Sequence, residues 1–539
     1  MSLKIDAPWI KSKVRCQNGY AYIDLPYWNT EKQQAGHKRK YIGKYDGKTF
    51  TPNKTYYALE AEHKRQSETP KRGPVPAAEC KRLFYGATYL LDQIAEKAGI
   101  AADLEHSFGQ DSRMILSLAY FLVLEEGQPA YRFRKWGMTH MHPYREEITS
   151  QRISELFGRI TENGKMTYFK RQTKRHAADE YLAFDTTSIS SYSTLIKQVK
   201  YGKNKEGDSL PQINLALLYG EKSMLPVYYR KLPGNISDVK TINNLIRDID
   251  FLQLSKLKFV MDRGFYSERN INDLIKNHHK FLIGARVSLK LVQNRLNAVR
   301  DDFVTRCNYN SELHLYVMSF TESWNYTKER PRSGDTVQVK RRVYLHIYYN
   351  DQKATDDKAR FNHLLDRLEA DLINGTMRPE DEPLYKKYFI IHETPIRGKR
   401  YSFNEDAIHK AEKNYGYFAL LSNGIKDPVT AMNIYRNKDL IEKSFGNLKE
   451  RLAMRRMAVA SEENFEGKLF VQFVGLELLS YIKKHMDSNG LFKNYTMQSL
   501  LDELDIIEYY QQPGKAHHLS EITKRQCELY KYMDVEVPT

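Results

Sequence analysis

The segment EYLAFDTTSIS, residues 180–190, carries the pattern on which the predicted fold depends. Its first half is apolar and aromatic, which is typical of a buried strand, and it ends on Asp185 and two threonines. A second apolar segment, 257–261, is followed at once by Asp262 and then by Arg263 and Gly264. Two aspartates therefore stand at the carboxyl ends of two predicted strands.

The segments around these two strands predict an α/β core. The first three strands are close enough in sequence for hairpins, and a helical crossover from the third to the fourth permits the fourth to pair in parallel beside the first. That arrangement brings Asp185 and Asp262 side by side. The remaining predicted elements of this core are strands at 212–219, 224–231 and 280–285 and helices at 239–252 and 267–276.

The segment IYRNKDLIEKSFGNLKER, residues 434–451, is predicted to form one amphipathic helix. At about 100° per residue, one side of it holds a carboxylate among a phenol and two cations, all within roughly 40°. These residues are Tyr435, Lys438, Glu442 and Lys449. A separate apolar stripe would seat the helix on a core, and it comprises Ile434, Ile441, Phe445, Leu448 and Leu452.

Composition favours a soluble protein with a polyanionic partner. The 539 residues carry a formal net charge of +17, and 41% of them are hydrophobic, enough for proper cores. Nucleic acid is the first candidate partner, because the basic residues are spread along the chain without a compact basic tail. An anionic membrane surface is the weaker alternative.

Cysteine spacing and hydropathy favour the cytoplasm. The four cysteines lie far apart, with no spacing typical of a zinc site or a disulfide framework. The first residues contain no apolar signal core. The apolar runs near 115–124 and 469–482 are too short, or too interrupted by polar residues, to cross a membrane.

The N-terminal part predicts two regions that are candidates for DNA binding. Residues 1–66 favour a small antiparallel β domain, in which the cations of 37–40 and the aromatic pair Tyr27 and Trp28 either contact DNA or form a solvated edge. A Pro-rich linker at 67–80 follows. Residues 81–179 are predicted to be helical, either as a helix-turn-helix reader of DNA ends or as a plain bundle.

The remaining boundaries divide the core in two. We predict a β-rich insertion with one helix, then a strand at 417–421 that resumes the sheet and leads into the helix of residues 434–451. A helical region closes the chain. The predicted parts are the first core segment 180–286, the insertion 287–413, the second core segment 414–456 and the C-terminal region 457–539.

Three carboxylates in such a core suit a pair of Mg²⁺ ions. Each ion takes oxygen ligands from one or two protein groups and leaves room for water and phosphate. Two ions about 3.5–4 Å apart can assist both the attacking and the leaving oxygen of a phosphodiester. A lone aspartate at a strand end is often a turn former or a helix cap. Three carboxylates in this order on a basic chain are harder to explain in that way.

These motifs resemble the DDE transposases of bacterial insertion sequences, in the group with the YREK signature. That signature is Tyr, two residues, Arg, three residues, Glu, six residues and Lys. Tyr435, Glu442 and Lys449 match it in spacing, whereas Lys438 stands at the Arg position and Arg436 lies two residues before it. Lysine keeps the charge but lacks the planar fork that binds phosphate bidentately. The AFDTTSI and VMDRGFYS segments resemble the first two motifs of the family.

The resemblance implies an RNase H-like catalytic core interrupted by a β-rich insertion, and cut-and-paste movement of DNA with terminal inverted repeats. It implies two Mg²⁺ ions, for which Mn²⁺ would substitute, and a homodimer on DNA that also binds target DNA. The implied metal ligands and catalytic residues are Asp185, Asp262 and Glu442. The implied DNA contacts are Tyr435, Arg436, Lys438 and Lys449.

Relatives that form a DNA hairpin stack a flipped base on an aromatic residue of the insertion, and Trp324 or Tyr326 would serve here. Packing of Trp324 within the insertion is the alternative interpretation. Two other functions stay open: a hydrolytic nuclease on the same fold, and a non-catalytic DNA-binding regulator derived from a transposase. The three intact carboxylates count against the regulator. The resemblance also places the protein in a bacterial cytoplasm, associated with the nucleoid.

Overall fold

The computed structural model describes a mixed α/β protein in two compact units. The first comprises Met1–Leu83, Glu508–Glu521 and Thr539, and the second comprises Phe84–Ile507 and Ile522–Pro538. The residues outside the description are 1, 4–6, 8–9, 11–12, 30–33, 69–79, 177–179, 194, 203–206, 208, 252–255, 330–335, 395–397, 453, 455, 458 and 460. Most of the predicted linker 67–80 therefore lies outside the described residues.

The described residues form the following elements, numbered along the chain. The strands are β1 (Ser2–Leu3), β2 (Val14–Gln17), β3 (Tyr20–Asn29), β4 (Gln34–Tyr45), β5 (Phe50–Pro52), β6 (Lys81–Phe84), β7 (Tyr181–Ser191), β8 (Gln212–Gly220), β9 (Pro226–Pro233), β10 (Lys258–Met261), β11 (Lys280–Ala285), β12 (Tyr309–Asn310), β13 (Leu315–Glu329), β14 (Thr336–Tyr349), β15 (Phe389–Thr394), β16 (Gly398–Phe403), β17 (Tyr417–Ser422), β18 (Arg456–Met457), β19 (Glu508–Gln511) and β20 (His518–Leu519). The helices are α1 (Lys54–Glu68), α2 (Gly86–Lys97), α3 (Ile100–Phe108), α4 (Ser112–Leu124), α5 (Phe133–Gly137), α6 (Ser150–Arg159), α7 (Glu162–His176), α8 (Asp238–Phe251), α9 (Glu268–Lys276), α10 (Lys290–Phe303), α11 (Asp351–Asn374), α12 (Glu382–Tyr388), α13 (Glu405–Glu412), α14 (Pro428–Arg436), α15 (Asp439–Gly446), α16 (Glu462–Ser488), α17 (Met497–Asp505) and α18 (Lys524–Tyr532).

The first unit contains an antiparallel sheet in the order β1-β2-β3-β4-β5. Its inward side chains are Val14, Ala21, Ile23 and Ile42, which form a small core that also receives Tyr56 and Leu59 of α1. The long strands β3 and β4 pair as a ribbon as far as Asn29 and Gln34. The same unit holds a small sheet in the order β20-β19-β6, so two short strands lie in the C-terminal region that we predicted to be helical.

The second unit is built on one large mixed sheet. Its order is β12-β13-β14-β17-β11-β10-β7-β8-β9, and β18 also pairs with β7. Strand β10 is parallel to both β7 and β11, while β7, β8 and β9 form consecutive antiparallel hairpins. The predicted order of strands and helices from β7 to β11 is confirmed. Strand β17 rejoins the sheet as predicted, and the structure places it beside β11.

The segment 287–413 differs from the prediction. It contains α10, α11, α12 and α13, so the expectation of a mostly β segment with one helix is wrong. Helix α10 buries Val292, Leu296 and Phe303. These residues recur at helical spacing, which indicates one apolar face. The hairpin β13–β14 extends the main sheet, because β14 pairs with β17 through Tyr344–Tyr349.

Helix α16 supplies much of the core of the second unit. It is buried along most of its length and packs against α4, α6 and β9. Gly467 allows its close approach to α6, since a Cβ there would lie 2.4 Å from the Phe157 carbonyl oxygen. Within the described residues no helix has the length and apolarity needed to cross a membrane.

Candidate active site

Strand pairing places Asp185 and Asp262 next to each other. Phe184 of β7 and Met261 of β10 are parallel partners in register, and each is followed by an aspartate. Strand β10 ends at Met261, but β7 continues to Ser191, so the prediction that the strand ends near Asp185 is wrong. The longer strand is held by β8, on which Leu217 is the partner of Asp185.

Asp262 lies at a crowded junction of three elements. It precedes a single 3₁₀ turn, Arg263–Phe265, and its Oδ1 accepts a 2.9 Å hydrogen bond from the Tyr435 hydroxyl of α14. Gly284 of β11 leaves the room for this contact. A Cβ at Gly284 would lie 2.9 Å from Tyr435 Oη and 2.8 Å from the Arg263 amide nitrogen.

Asp185 belongs to a second polar group that includes a fourth carboxylate. The Thr186 amide donates to Asp185 Oδ1 at 2.7 Å, and the Thr186 hydroxyl donates to Asp238 Oδ1 at 2.6 Å. Asp238 begins α8. Asp238 directly precedes the predicted helix 239–252 and is not among the predicted site residues. Its signal was a carboxylate at the first turn of the crossover helix that leads to β10.

The segment 434–451 is not the single helix that we predicted. Helix α14 ends at Arg436, α15 begins at Asp439, and a π-helical turn, Asn447–Arg451, follows it. At the joint, the Lys438 amide bonds the Tyr435 carbonyl, a tighter turn than in an α-helix. The predicted apolar stripe still packs inward: four members are buried, and Ile434 packs against a separate cluster that includes Tyr348 and Met432.

Glu442 and Lys438 form an ion pair across one turn of α15. Lys438 Nζ donates to Glu442 Oε1 at 3.0 Å, and the Glu442 side chain remains 58% exposed. Burial by itself lowers the pKa of Lys438, but the hydrogen bond to Glu442 and the nearby charges of Asp262 and Asp185 outweigh it and raise that pKa. Lys438 therefore stays protonated at neutral pH.

The electrostatic surroundings of Tyr435 keep its hydroxyl protonated. Burial raises its pKa, and the negative charge of Asp262 together with the hydrogen bond to it raises that pKa further. The hydroxyl therefore serves as a donor to Asp262 and does not compete with it as an anion.

One cleft of about 520 Å³ collects the carboxylates. The predicted residues that line it are Asp185, Asp262, Glu442 and the buried Lys449, and Tyr435 adjoins it through Asp262. Two predicted residues make other contacts. Arg436 donates to the Leu313 carbonyl at 3.2 Å, and Trp324 Nε1 donates to Asn272 Oδ1 at 2.8 Å.

The donor atoms of this cleft suit a hard divalent cation in kind. Five lining side chains, Asp185, Asp238, Asp262, Glu442 and Glu450, offer carboxylate oxygens, the ligands that Mg²⁺ prefers. Among the described residues, however, no three His, Cys, Asp or Glu side chains stand close enough together to hold a metal ion. The ion pair with Lys438 engages Glu442 in this arrangement.

Comparison with known families decides the relationship that the motifs suggested. The family model described as the transposase DDE domain matches residues 176–476. The chain belongs to the DDE transposase family. The matched range of this DDE transposase includes Asp185, Asp262 and Glu442 together with the whole segment between them.

Two further comparisons add little to that relationship. A cryo-EM structure of the piggyBac transposase synaptic complex with hairpin DNA is 9% identical to this DDE transposase, covering 78% of this chain and 77% of that chain with a TM-score of 0.36. No curated protein sequence matches the chain.

Proposed function

We propose that this transposase cleaves DNA at the terminal inverted repeats of an insertion sequence and joins the freed ends to target DNA, in a cut-and-paste reaction that needs a divalent metal. The observation that supports it best is the register of β7 and β10. It sets Asp185 beside Asp262, and Glu442 lines the same cleft. The YREK-group assignment rests on Tyr435, Glu442 and Lys449, with lysine at the arginine position.

The proposed core is RNase H-like and comprises 180–286 and 414–456, with 287–413 inserted between them. The support is topological: three antiparallel strands, a helical crossover and two parallel strands follow one another, and β17 then adds antiparallel to β11. The glutamate follows that last strand on α15. The insertion contributes β13 and β14 to the same sheet.

Asp185, Asp262 and Glu442 would hold two Mg²⁺ ions, with Mn²⁺ as a substitute. When bound, the ions would supply positive charge to the scissile phosphate and to the attacking and leaving oxygens. To take part, Glu442 has to leave Lys438, and its exposed side chain has the freedom to do so. The Thr186 amide orients Asp185, and the Tyr435 hydroxyl orients Asp262.

The cations beside the carboxylates would bind DNA phosphates. Lys438 lies near the negative charges of Asp262 and Asp185, and its ammonium group would be available to a phosphate once it separates from Glu442. Lys449 lines the cleft from the π-helical turn. Tyr435 and the exposed Arg436 complete the proposed contacts at the cleaved end. A phosphate between Lys438 and Lys449 would accept charge-assisted hydrogen bonds from both.

We propose that residues 1–66, which belong to the first unit, recognise the DNA sequence. The ribbon of β3 and β4 carries Trp28 and Tyr27 with 64% and 50% of their surface exposed. The consecutive cations of 37–40 lie on the facing strand. A two-stranded ribbon with these features fits a DNA groove. The helical region 81–179 would contribute to DNA-end recognition, and 457–539 would support the core.

Trp324 stays a candidate for stacking a flipped base, although its indole is held by Asn272 and packs against the core. Base stacking there would require that hydrogen bond to open. We also propose that two copies of the chain assemble on DNA, because two ends must be brought together. The proposed setting is the nucleoid of a bacterial cytoplasm.

The decisive experiment uses a labelled duplex that carries the end of the element, incubated with Mg²⁺. Wild type should nick the end and join it to target DNA, whereas Glu442→Gln should bind the duplex but do neither. Lys443→Met, on the same helix and outside the residues lining the cleft, is the matched control. Full activity of Glu442→Gln would refute the assignment of the third carboxylate. Cutting without joining would favour a nuclease, and binding without cutting a regulator.

A further inference from the structure

A second cleft lies at the amino-terminal ends of β10 and β11, whereas the carboxylates lie at the carboxyl end of β10. It has a volume of about 380 Å³ and is lined by Ile275, His278, His279, Lys280, Arg341, Arg342 and Asn423. Lys280 begins β11 and is the parallel partner of Lys258, the first residue of β10. Asp262 follows the last residue of β10, so about 13 Å of strand separates it from Lys258 at the other end.

The charge of this second cleft is of one sign. Lys280, Arg341 and Arg342 bring three cations. No carboxylate is among the described residues that line the cleft. The three cations and His278 are exposed, so an incoming anion can reach them. The C-terminal end of α9 adds a partial negative charge of about one half, which three full cations exceed.

The walls of the cleft are held in place by side-chain hydrogen bonds. Asn423 donates to the His279 carbonyl at 2.9 Å and accepts from the Phe281 amide at 2.9 Å, which ties the loop before β11 to the end of β17. His279 is buried, with its ring edge-on to Phe259. The loop that carries His278 and Lys280 is therefore braced on both sides.

The opposite wall is braced by the tryptophan that the sequence had singled out. Arg341 of β14 lies directly across from Trp324 of β13, and Ser323 lies across from Arg342. The Trp324 indole donates to Asn272 on α9 at 2.8 Å. Strand β13, which pairs with the strand that carries both arginines, is thus fastened to α9, the helix that ends just before His278. Such preorganisation reduces the ordering cost of binding a phosphate.

We infer that this cleft binds the phosphate backbone of duplex DNA, at a site separate from the proposed catalytic cleft. The inference rests on the proposed function, and it adds a contact that positions a duplex segment away from the strand that is cut. Arginine suits this role because its planar fork can grip a phosphate with two hydrogen bonds. The contact is to the backbone, so it would not depend on DNA sequence.

The test is binding of a labelled duplex of arbitrary sequence by the full chain, in EDTA so that no cutting occurs, between about 50 and 200 mM salt. Arg341→Gln with Arg342→Gln should weaken binding and reduce the slope of log K against log salt by about 1 to 2, as one or two phosphate contacts are lost. Lys358→Gln with Lys410→Gln, two exposed lysines of the insertion, should leave the slope unchanged.

A second pair of variants separates charge from folding. Arg341→Lys with Arg342→Lys keeps both charges, so it should retain most of the wild-type slope. An arginine-to-glutamine variant with the wild-type slope overturns the inference. The inference also fails if wild type and the arginine-to-glutamine variant differ only in binding single-stranded RNA, because the cleft would then serve RNA. It fails likewise if millimolar inorganic phosphate abolishes the difference in DNA binding between them, because the cleft would then serve a single phosphate. If wild type binds but never cuts an element end, the proposed function fails while the altered slope still supports this site.

Discussion

The Tyr435 hydroxyl donates a 2.9 Å hydrogen bond to Asp262 Oδ1 and so joins α14 to the carboxyl end of β10. The two residues are 173 positions apart in the chain. Tyr435 packs against a cluster that includes Tyr348 and Met432, which fixes the ring from which the hydroxyl extends. A residue of the signature segment therefore positions a proposed metal ligand from another element of the sheet.

Tyr435→Phe should lower the rate of DNA cleavage about tenfold, because a hydrogen bond to a charged group is worth about 1.5 kcal/mol or more. The ring stays in its apolar cluster, so we expect DNA binding to change little. Tyr348→Phe is the matched control: it loses a 2.7 Å hydrogen bond to the Pro428 carbonyl in the same cluster but does not touch Asp262. Equal losses of activity in both variants would contradict a positioning role for Tyr435.

Gly284→Ala should impair cleavage and cost about 1–3 kcal/mol of stability, since overpacking displaces its neighbours. The added Cβ would lie 2.8 Å from the Arg263 amide and 2.9 Å from Tyr435 Oη, so both have to shift near Asp262. Gly158→Ala in α6 meets nothing within 4 Å and should gain up to about 1 kcal/mol from helix propensity. Thermal unfolding and cleavage assays of the two variants make the comparison. Wild-type activity in Gly284→Ala would show that Arg263 and Tyr435 can shift without displacing Asp262.

Lys438→Met should reduce cleavage and lower the slope of log K against log salt for binding of the element end by about 1, if Lys438 contacts one phosphate. It also leaves Glu442 without the partner that it has at 3.0 Å. Lys438→Arg keeps the charge and restores the arginine of the signature, so it should retain activity. An unchanged slope in Lys438→Met would argue that Lys438 serves only to hold Glu442.

Asp92→Asn should remove a pH dependence of stability. Burial raises the pKa of Asp92 to about 6, against the lowering effect of the Tyr120 hydroxyl, which donates to it at 2.8 Å. The folded chain then binds this proton more tightly than the unfolded chain, so wild type loses stability as pH rises from about 4 to 6. The variant should be more stable than wild type by about 3 kcal/mol at pH 7 and by much less at pH 4. Denaturant unfolding at pH 4 and pH 7 measures the difference in free energy of unfolding between variant and wild type. The same difference at both pH values would contradict a raised pKa of Asp92.

The elements from β7 to β11 could be read from sequence because each has a local signature. Strands β8 and β11 are nearly continuous apolar runs, and α9 carries one apolar face with a serine cap, Ser267. The neighbouring positions of Asp185 and Asp262 followed from the helical crossover between β9 and β10, which permits β10 to pair in parallel beside β7. The buried stripe of the signature segment followed from helical spacing alone.

Other features depend on contacts between residues distant in sequence, and no local pattern encodes them. The continuation of β7 past Asp185 depends on its partners β8 and β18, and the joint at Lys438 depends on α14 and α15 packing against different clusters. Asp238 reaches the carboxylate cleft because the Thr186 hydroxyl bonds it. Apolar periodicity records which face of a segment is buried. Only tertiary packing decides which other element covers that face, and therefore which polar groups come together beside it.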